Sequence, residues 1–267
     1  MKAGVPALET RQLVYAVDGK VILKGIDLRV EYGEVVGIMG ASGSGKTTLL
    51  KCLCGLLKPT SGEVWVEGVN IAPLSERERM PLRLRLGIVF QDAALFDYLT
   101  VYENVAFGVE RHRKLSREQV RQIVRERLAW VGLEGVEHLY PSQLSGGMRK
   151  RVGLARALAM DPHIVLFDEP TSGLDPVNAY QVDRLIVRLN RELNLTAVVV
   201  SHDVVSLMRT CSRIVMIEAG QIIAEGTPET IRQLEHPQVR AFLRMASSET
   251  LDDVPWLGYN IGQEAQV

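Results

Sequence analysis

The sequence predicts an α/β fold in which a mostly parallel sheet is covered by helices on both faces. Short apolar runs of strand length alternate with longer segments of helical periodicity, and this alternation is typical of a parallel sheet. Before these runs, residues 8–30 show strand patterns around Asp18-Gly19, which is a hairpin signal. We therefore expect an antiparallel β-patch at the start of the chain, followed by the parallel sheet.

The elements can be assigned in order along the chain from their periodicity and their turn residues. Strands are predicted at 8–15, 21–23, 26–30, 35–39, 64–68, 86–90, 164–167, 197–200, 214–217 and 221–224. Helices are predicted at 48–53, 74–86, 149–160, 177–193 and 228–245. The segment 92–158 is helix-rich and carries most of the basic clusters. Residues 246–267 are polar and acidic, and we expect a weakly ordered or partner-binding tail there.

Composition narrows the classes of function. The chain has 267 residues, 46% hydrophobic content and a net charge of −1, which suits one large domain or a core with a subdomain. Arg117, Arg121 and Arg125 are interleaved with Glu118 and Glu126, so we expect a solvated helix face and no nucleic-acid partner. No apolar run approaches the ~20 residues of a membrane span, and no secretory leader is expected. Any membrane role must therefore come through a partner.

The three cysteines fit no metal-binding pattern. Cys52 and Cys54 are two residues apart on a predicted helix, and Cys211 is remote from both in the sequence. Such an arrangement is typical of buried free thiols in a reducing compartment, which indicates the cytoplasm.

The stretch Gly40–Thr47 has the pattern G-x-x-x-x-G-K-[ST], which is typical of a phosphate-binding loop. It lies between a predicted strand and a predicted helix, the setting that this motif needs. Glycines let the backbone wrap around phosphate oxygens, and the helix N-terminus adds partial positive charge. We expect Lys46 to reach the β- and γ-phosphates and the Thr47 hydroxyl to hold Mg²⁺. The fold class is thus a P-loop NTPase with a RecA-like core, and the predicted phosphate-binding residues are Gly40, Ser42, Gly43, Ser44, Gly45, Lys46, Thr47 and Thr48.

Polar side chains follow three further predicted strands. Asp168-Glu169 ends one, His202 follows another, and Gln91 ends a third. Ligands of parallel sheets bind beyond the carboxyl ends of the strands, so these groups should converge on the loop. In a P-loop protein, Asp168 is expected to hold Mg²⁺ and Glu169 to accept a proton from the attacking water. His202 could donate to developing charge, and the Gln91 amide could touch Mg²⁺ or water.

A second anion site is predicted at Ser145-Gly146-Gly147, where two glycines and a hydroxyl precede a helix. A serine that only caps its own helix is the simpler interpretation. One γ-phosphate is hard to hold at both sites within a single chain. We therefore expect a dimer, in which the second site of one copy closes over the nucleotide held by the other.

The order of these motifs resembles the ATP-binding subunit of an ABC transporter. The similarity covers about residues 8–240 and rests on six motifs in the family's order. These motifs are Gly40–Thr47, Gln91, Leu144–Met148, Ile164–Glu169, Ser172–Asp175 and His202. The resemblance implies ATP and Mg²⁺ as ligands, and a single ABC ATPase domain over 1–245. It also implies a core at about 8–91 and 159–245 and a helical subdomain at about 92–158, whose border receives a coupling helix of the membrane subunit.

The resemblance also assigns roles to single residues. Tyr15, for which position alone leaves ring stacking and ordinary strand packing open, becomes the aromatic that stacks on adenine. Gln91 becomes the hinge between the site and the helical subdomain, and His202 the switch histidine. Asp175 is implied to lie at the dimer seam. The segment Ser145–Gly147 becomes the signature that contacts the partner's ATP, while Glu169 remains the catalytic base.

The signature ends in Met148 where the family usually has Gln, although its Ser-Gly-Gly part is retained. Four stretches resemble the Mla/Mkl-type ATPases, which work with Mce-domain proteins and a multispanning permease to move phospholipids or other hydrophobic lipids. They are Phe90–Asp97, Leu99–Asn104, Leu144–Met148 and His236–Leu243. This resemblance implies a peripheral protein on the cytoplasmic side of the inner membrane.

The catalytic motifs leave other uses of the same ATPase open. A nutrient importer of the amino-acid type shares the Leu-Thr-Val-x-Glu-Asn pattern at 99–104, and a cell-division type of member transmits force without transport. DNA-repair and translation ATPases are disfavoured, because the chain has no long coiled-coil insertion and no second ATPase domain.

Overall fold

The computed structural model describes residues 4–246 of the chain. Within this range it contains ten strands and nine α-helices. The strands are β1 (Leu8–Val17), β2 (Lys20–Val30), β3 (Val35–Met39), β4 (Ser61–Val66), β5 (Val69–Asn70), β6 (Leu86–Val89), β7 (Ile164–Asp168), β8 (Thr196–Val200), β9 (Arg213–Glu218) and β10 (Gln221–Gly226). The helices are α1 (Lys46–Leu53), α2 (Glu76–Arg83), α3 (Val101–His112), α4 (Arg117–Trp130), α5 (Gly146–Leu158), α6 (Pro176–Leu193), α7 (Val204–Thr210), α8 (Pro228–Gln233) and α9 (Pro237–Ala246).

The strands form two sheets, as the sequence predicts. The six-stranded sheet has the order β10-β9-β3-β8-β7-β6, and all its neighbours are parallel except the edge strand β10. The four-stranded sheet β2-β1-β4-β5 is antiparallel throughout. The predicted fold class is confirmed.

The register of the parallel sheet brings the ends of its strands together. Val200 of β8 pairs with Ile38 of β3 on one side and with Asp168 of β7 on the other. Val89 of β6 pairs with Phe167 of β7. The segments that follow these four strands therefore leave the sheet at one edge, where the predicted functional residues lie.

Both faces of the parallel sheet are buried, which explains why its strands read as continuous apolar runs. Side chains alternate between two clusters. One face packs against α3–α7 through Met39, Phe167 and Val199, among others. The other face packs against α1 and the antiparallel sheet through Ile38, Leu166 and Val198. Helix α1 thus lies between the two sheets, with the phosphate-loop sequence at its N-terminus.

Several predicted helix boundaries were wrong. Helix α1 begins at Lys46, two residues before the predicted start, and α5 begins at Gly146 and not at Arg149. The helix expected over 74–86 spans only Glu76–Arg83. In α5 the Ser145 cap starts the helix at Gly146. Glycine is a poor helix former, so helix propensity does not predict a helix at Gly146 and Gly147.

The helix predicted over 228–245 is two helices. Leu234 has an extended backbone (φ −67°, ψ 125°), so α8 ends there, and α9 begins at Pro237. Proline disfavours a helical conformation in the residue before it and lacks an N–H for a continuing helix. The chain therefore turns between residues 234 and 236. The predicted tail, residues 246–267, lies outside the described residues except for Ala246, which ends α9.

The insertion after β6 is helical, as expected from the sequence. Helices α3 and α4 pack against α5, while α5 also packs against β6 and α6. The subdomain boundary at 92–158 stays a prediction, because α5 contacts both parts. All three cysteines are free and buried. Among residues 4–246, none of the helices has the length and apolar character required to cross a bilayer.

The turn between β9 and β10 connects the antiparallel sheet to the phosphate loop. The backbone N–H of Gly220 donates to Ser44 O at 3.2 Å, and its carbonyl accepts from Lys24 N at 2.9 Å. Gly220 has φ +82°, and a Cβ there would lie 2.2 Å from Ile22 O. Only glycine fits, because any side chain would meet backbone and would also be in a left-handed conformation.

We expect Gly220→Ala to lower the free energy of unfolding by about 2–4 kcal/mol, through the left-handed conformation and the overlap with Ile22. Gly19→Ala is the matched control, since Gly19 also has positive φ (+75°) but would have no atom within 4 Å of its Cβ. The control should lose only about 1 kcal/mol. Urea unfolding of both variants measures the difference, and equal losses would contradict the close-contact explanation.

Candidate nucleotide-binding and hydrolysis site

The loop between β3 and α1 is shaped by its glycines. Gly40 has φ 151°, Gly43 77° and Gly45 107°. A Cβ at Gly40 would be 2.1 Å from Ile217 O, so the loop lies directly on β9. Gly45 is the N-cap of α1 and has no side chain to satisfy the first helical N–H groups. These groups are therefore available to an anionic ligand at the start of the helix.

Lys46 is folded back into the loop. Its Nζ donates to Gly40 O at 2.8 Å and to Ala41 O at 2.9 Å, and the side chain is buried. Burial lowers the pKa of Lys46, and the nearby carboxylates of Glu169 and Asp168 oppose this shift. The loop thus encloses a cation, as a site for phosphate requires.

The hydroxyl of Ser44 gives an independent test of the fit. Ser44 Oγ is buried and has no hydrogen-bond partner in the part of the chain that the structure describes. Buried polar groups in proteins are nearly always paired, so an unpaired hydroxyl in this loop fits a site that binds a ligand. Ser42, in the same loop, is exposed, and Thr48, in the first turn of α1, is half-buried. An anion seated on the loop would supply the acceptor that Ser44 lacks.

Thr47 and Asp168 form a pair of oxygen ligands. Thr47 Oγ1 donates to Asp168 Oδ1 at 3.0 Å, joining the first turn of α1 to the end of β7. Burial raises the pKa of Asp168; the Thr47 hydrogen bond lowers it, and the charge of Glu169 raises it further. Mg²⁺ is usually held by one or two protein oxygens together with phosphate and water. The pair has the chemistry and the position, beside the phosphate loop, that such an ion needs.

Glu169 and His202 are in direct contact. Glu169 Oε2 lies 2.8 Å from His202 Nδ1 and 3.4 Å from both Ser201 Oγ and the His202 backbone nitrogen. Glu169 has a left-handed backbone (φ 51°), and its N–H donates to Val200 O at 2.9 Å. This conformation turns the chain away from β7 directly after Asp168, and the carboxylate meets the end of β8.

Gln91 lies at the same edge of the parallel sheet, but its side chain contacts Ser172 and not the Thr47–Asp168 pair. Its Nε2 donates to Ser172 Oγ at 3.5 Å, so its amide contacts the segment after Glu169 and not the Thr47–Asp168 pair. The side chain is exposed. The roles of Gln91 as a ligand of Mg²⁺ and as a hinge therefore stay predictions.

Ser145 caps α5 in this chain, as the simpler interpretation holds. Its hydroxyl accepts from Met148 N at 3.2 Å. Next to it, a Cβ at Gly147 would lie 2.9 Å from Asn178 Oδ1, so the start of α5 packs closely on α6. The cap does not exclude the predicted anion contact, because a hydroxyl that accepts through oxygen still has a proton to donate.

Asp175 is linked to the same place. Its carboxylate accepts from Val177 N at 3.0 Å and Asn178 N at 3.1 Å, and it also accepts from the Asn178 amide at 2.5 Å. The hydrogen bonds from Asn178 hold the pKa of Asp175 below its usual range. Because Asn178 also lies against Gly147, Asp175 and the signature segment form one surface of the chain. The position of Asp175 at a dimer seam stays a prediction.

Tyr15 is half-buried in β1, opposite Leu23 of β2, and packs against the cluster between the two sheets. Ordinary strand packing therefore accounts for part of this ring, and stacking on adenine stays a prediction.

Sequence reasoning missed three residues that position this site. Ser201 and Ser172 contact Glu169 and Gln91 respectively. Lys150 is buried and donates to backbone carbonyls of both Gln91 and Glu169. Ser172 begins the motif Ser172–Asp175 and Ser201 precedes His202, but nothing in the sequence distinguishes Lys150 from the other cations of its helix.

The fold and the loop together define a P-loop ATPase cassette, and comparison with known proteins identifies its family. Residues 23–172 match the sequence profile described as ABC transporter, so the chain belongs to the ABC transporter family. The intermembrane phospholipid transport system ATP-binding protein MlaF of Haemophilus influenzae is 43% identical over 237 residues, covering 89% of this chain and 90% of that protein. The methionine import ATP-binding protein MetN of Carboxydothermus hydrogenoformans is 39% identical over 247 residues, covering 91% and 73%.

A solved structure agrees with the fold of the chain. A dimeric, post-hydrolysis structure of the ATP-binding cassette MJ0796 with ADP and Pi superposes with a TM-score of 0.77 and 35% identity, over 83% of this chain and 98% of that one. The chain is therefore an ABC transporter ATPase that uses ATP and Mg²⁺.

Proposed function

We propose that this ATPase powers the transport of phospholipids or similar hydrophobic lipids between membranes. The observation that carries this proposal is the match to MlaF, which runs along about nine-tenths of both chains. The Mla/Mkl-type stretches at 90–97, 99–104 and 236–243 support it. The partners would be a multispanning permease and an Mce-domain lipid-binding protein, with the ATPase bound peripherally on the cytoplasmic side of the inner membrane.

Import of an amino acid is the second candidate. It is favoured by the MetN relative, which is nearly as similar in identity but is matched over only 73% of its length. The two candidates share the same ATPase chemistry, so they differ only in the partners and in the transported molecule.

We infer that two copies of the chain share each ATP. The phosphates would be held by Gly40–Thr47 of one copy and by Ser145 and Gly147 of the other. The start of α5 offers backbone N–H groups, a small-residue surface and the hydroxyl proton of Ser145, which are the features of an anion site. The dimeric structure of MJ0796 supports such an arrangement.

Residue roles in hydrolysis follow from the contacts of the site. Thr47 and Asp168 would hold Mg²⁺, which neutralises phosphate charge when bound, with Gln91 as a further ligand once its amide leaves Ser172. Glu169 would accept a proton from the attacking water, since its carboxylate ends a strand beside the loop. His202, 2.8 Å from that carboxylate, would orient it and stabilise developing charge.

Glu169→Gln should leave ATP binding intact but lower the rate of hydrolysis by about 100-fold or more, because an amide cannot accept the proton. An ATP-bound dimer should then accumulate. Size-exclusion chromatography with light scattering, with ATP and with ADP, measures the dimer, and phosphate release measures the rate.

Glu67→Gln is the matched control for this experiment. Glu67 is also largely buried and also contacts a histidine, with 2.6 Å between its Oε1 and His163 Nδ1. His163 precedes β7, whereas Glu169 follows it, so the control lies at the opposite end of the strand. Hydrolysis by Glu169→Gln at the rate of Glu67→Gln would contradict the role of Glu169.

The transport proposal predicts what accompanies the ATPase in the membrane. We expect the tagged full-length protein, purified with its membrane complex, to carry a multispanning permease, an Mce-domain protein and phospholipid. Mass spectrometry of the proteins and of the extracted lipids measures this, with a complex-free preparation of the ATPase as the lipid background. Recovery of a solute-binding protein without lipid would overturn the proposal and favour amino-acid import.

A further inference from the structure

Lys150 joins two strand ends through a single ammonium group. It lies one turn into α5, and only 8% of it is exposed. Its Nζ donates to Glu169 O at 3.2 Å and, in a shorter contact, to Gln91 O. Glu169 is the first residue after β7 and Gln91 the second residue after β6, so one side chain of α5 holds the backbone just beyond two adjacent strands.

The backbone at both places departs from the regular strand. Glu169 is left-handed, and so are Ala93 and Ala94, with φ of 59° and 46°. Non-glycine residues keep such conformations only where surrounding contacts hold them. The carbonyl contact with Lys150 is one such contact at Glu169.

The same helix also holds residues 92–94, which together with Gln91 form the Gln91 loop. Arg156 donates through its two Nη atoms to Ala94 O and Ala93 O, both at 2.7 Å. A Cβ at Gly153 would lie 3.1 Å from the Ala93 Cβ, so the helix backbone also approaches the loop closely. Through Lys150 and Arg156, α5 therefore holds three carbonyls of residues 91–94, and the Ser145–Gly147 segment begins this same helix.

The charges around Lys150 suit this position. Burial lowers the pKa of Lys150, while the carboxylates of Asp92, Glu169 and Asp168 oppose the shift. An apolar side chain of similar length could fill the space but would leave Gln91 O without this donor, and Glu169 O with only the N–H of Ser172 at 3.2 Å. Losing the donor to a partly buried carbonyl is costly, so we expect the Gln91 loop, and the Glu169 backbone with it, to move.

We propose that Lys150 is a positioning residue, which ties the Glu169 backbone and the Gln91 loop to the helix that carries the signature segment. A shift of α5, as when a second copy engages Ser145 and Gly147, would thereby move the carboxylate that accepts the proton. The inference rests on the proposed role of Glu169. Lys150 itself touches neither ATP nor water in this account and acts through the backbone of Glu169.

Lys150→Met is expected to lower kcat for ATP hydrolysis by about 10- to 100-fold, because the carboxylate is displaced, while KM for ATP stays within about threefold. Methionine keeps most of the buried volume and removes the donor. Lys150→Arg keeps the charge and two or more donors, and should recover kcat to within about threefold of wild type.

Arg127→Met is the matched control for loss of a buried cation. Arg127 is 5% exposed and donates to Leu158 O at 3.1 Å, at the far end of the same α5. It should lose stability in thermal unfolding but keep kcat within about twofold of wild type. A merely structural role of Lys150 would instead give the same kcat for both methionine variants.

A double-mutant cycle with Glu169→Gln separates the two proposals. If Lys150 acts through Glu169, adding Lys150→Met to Glu169→Gln should reduce kcat by less than about twofold further. Two results would overturn the inference on Lys150 alone: losses in kcat that are fully additive in the double variant, or a wild-type kcat for Lys150→Met when Glu169→Gln is inactive. Wild-type kcat for Glu169→Gln would overturn the underlying role of Glu169.

Discussion

Parallel pairing of β3, β7 and β8 is the constraint on which the site depends. Ile38, Asp168 and Val200 are paired in one register, so the phosphate loop, the acidic pair and His202 all leave the sheet at its carboxyl edge. The register is held by side chains buried on both faces of these strands. Because a slip of one residue would exchange the two faces, packing and the geometry of the site are specified together. The Thr47–Asp168 hydrogen bond then joins this edge to α1.

Helix α5 is the second element that positions the residues of the site. It starts at the Ser145 cap, contacts Glu169 and the Gln91 loop in its middle, and packs against both the insertion helices and the sheet. In the proposed dimer, α5 would carry both the surface that touches the partner's nucleotide and the Lys150 contact that supports the chain's own catalytic carboxylate, Glu169. Contact of Ser145–Gly147 with the partner's ATP would then affect the position of Glu169 through α5 itself, without a separate connecting segment.

Much of this could be predicted from the sequence, for identifiable reasons. Strands buried on both faces appear as apolar runs, and the residues after them can be read as strand ends. Asp168, Glu169 and His202 are predicted in this way, and the phosphate loop is predicted from its G-x-x-x-x-G-K-[ST] pattern. Glycine is a poor helix former, which hides the start of α5, and proline can begin a helix as well as interrupt one, which hides the break between α8 and α9. The contacts of Lys150 span 59 and 19 residues, and the direction of the Gln91 amide depends on Ser172; neither follows from local pattern.

The central claim is that each ATP is held by two chains, and mixing two inactive variants tests it most directly. Lys46→Met disables the phosphate loop, while Ser145→Asp keeps a good helix cap but places a negative charge against the partner's phosphates. Each variant alone should be inactive. Mixed in equal amounts, half of the dimers would contain one intact loop facing one intact Ser145, so ATP hydrolysis should return to as much as about a quarter of the wild-type rate. A mixture as inactive as its two components would contradict the account.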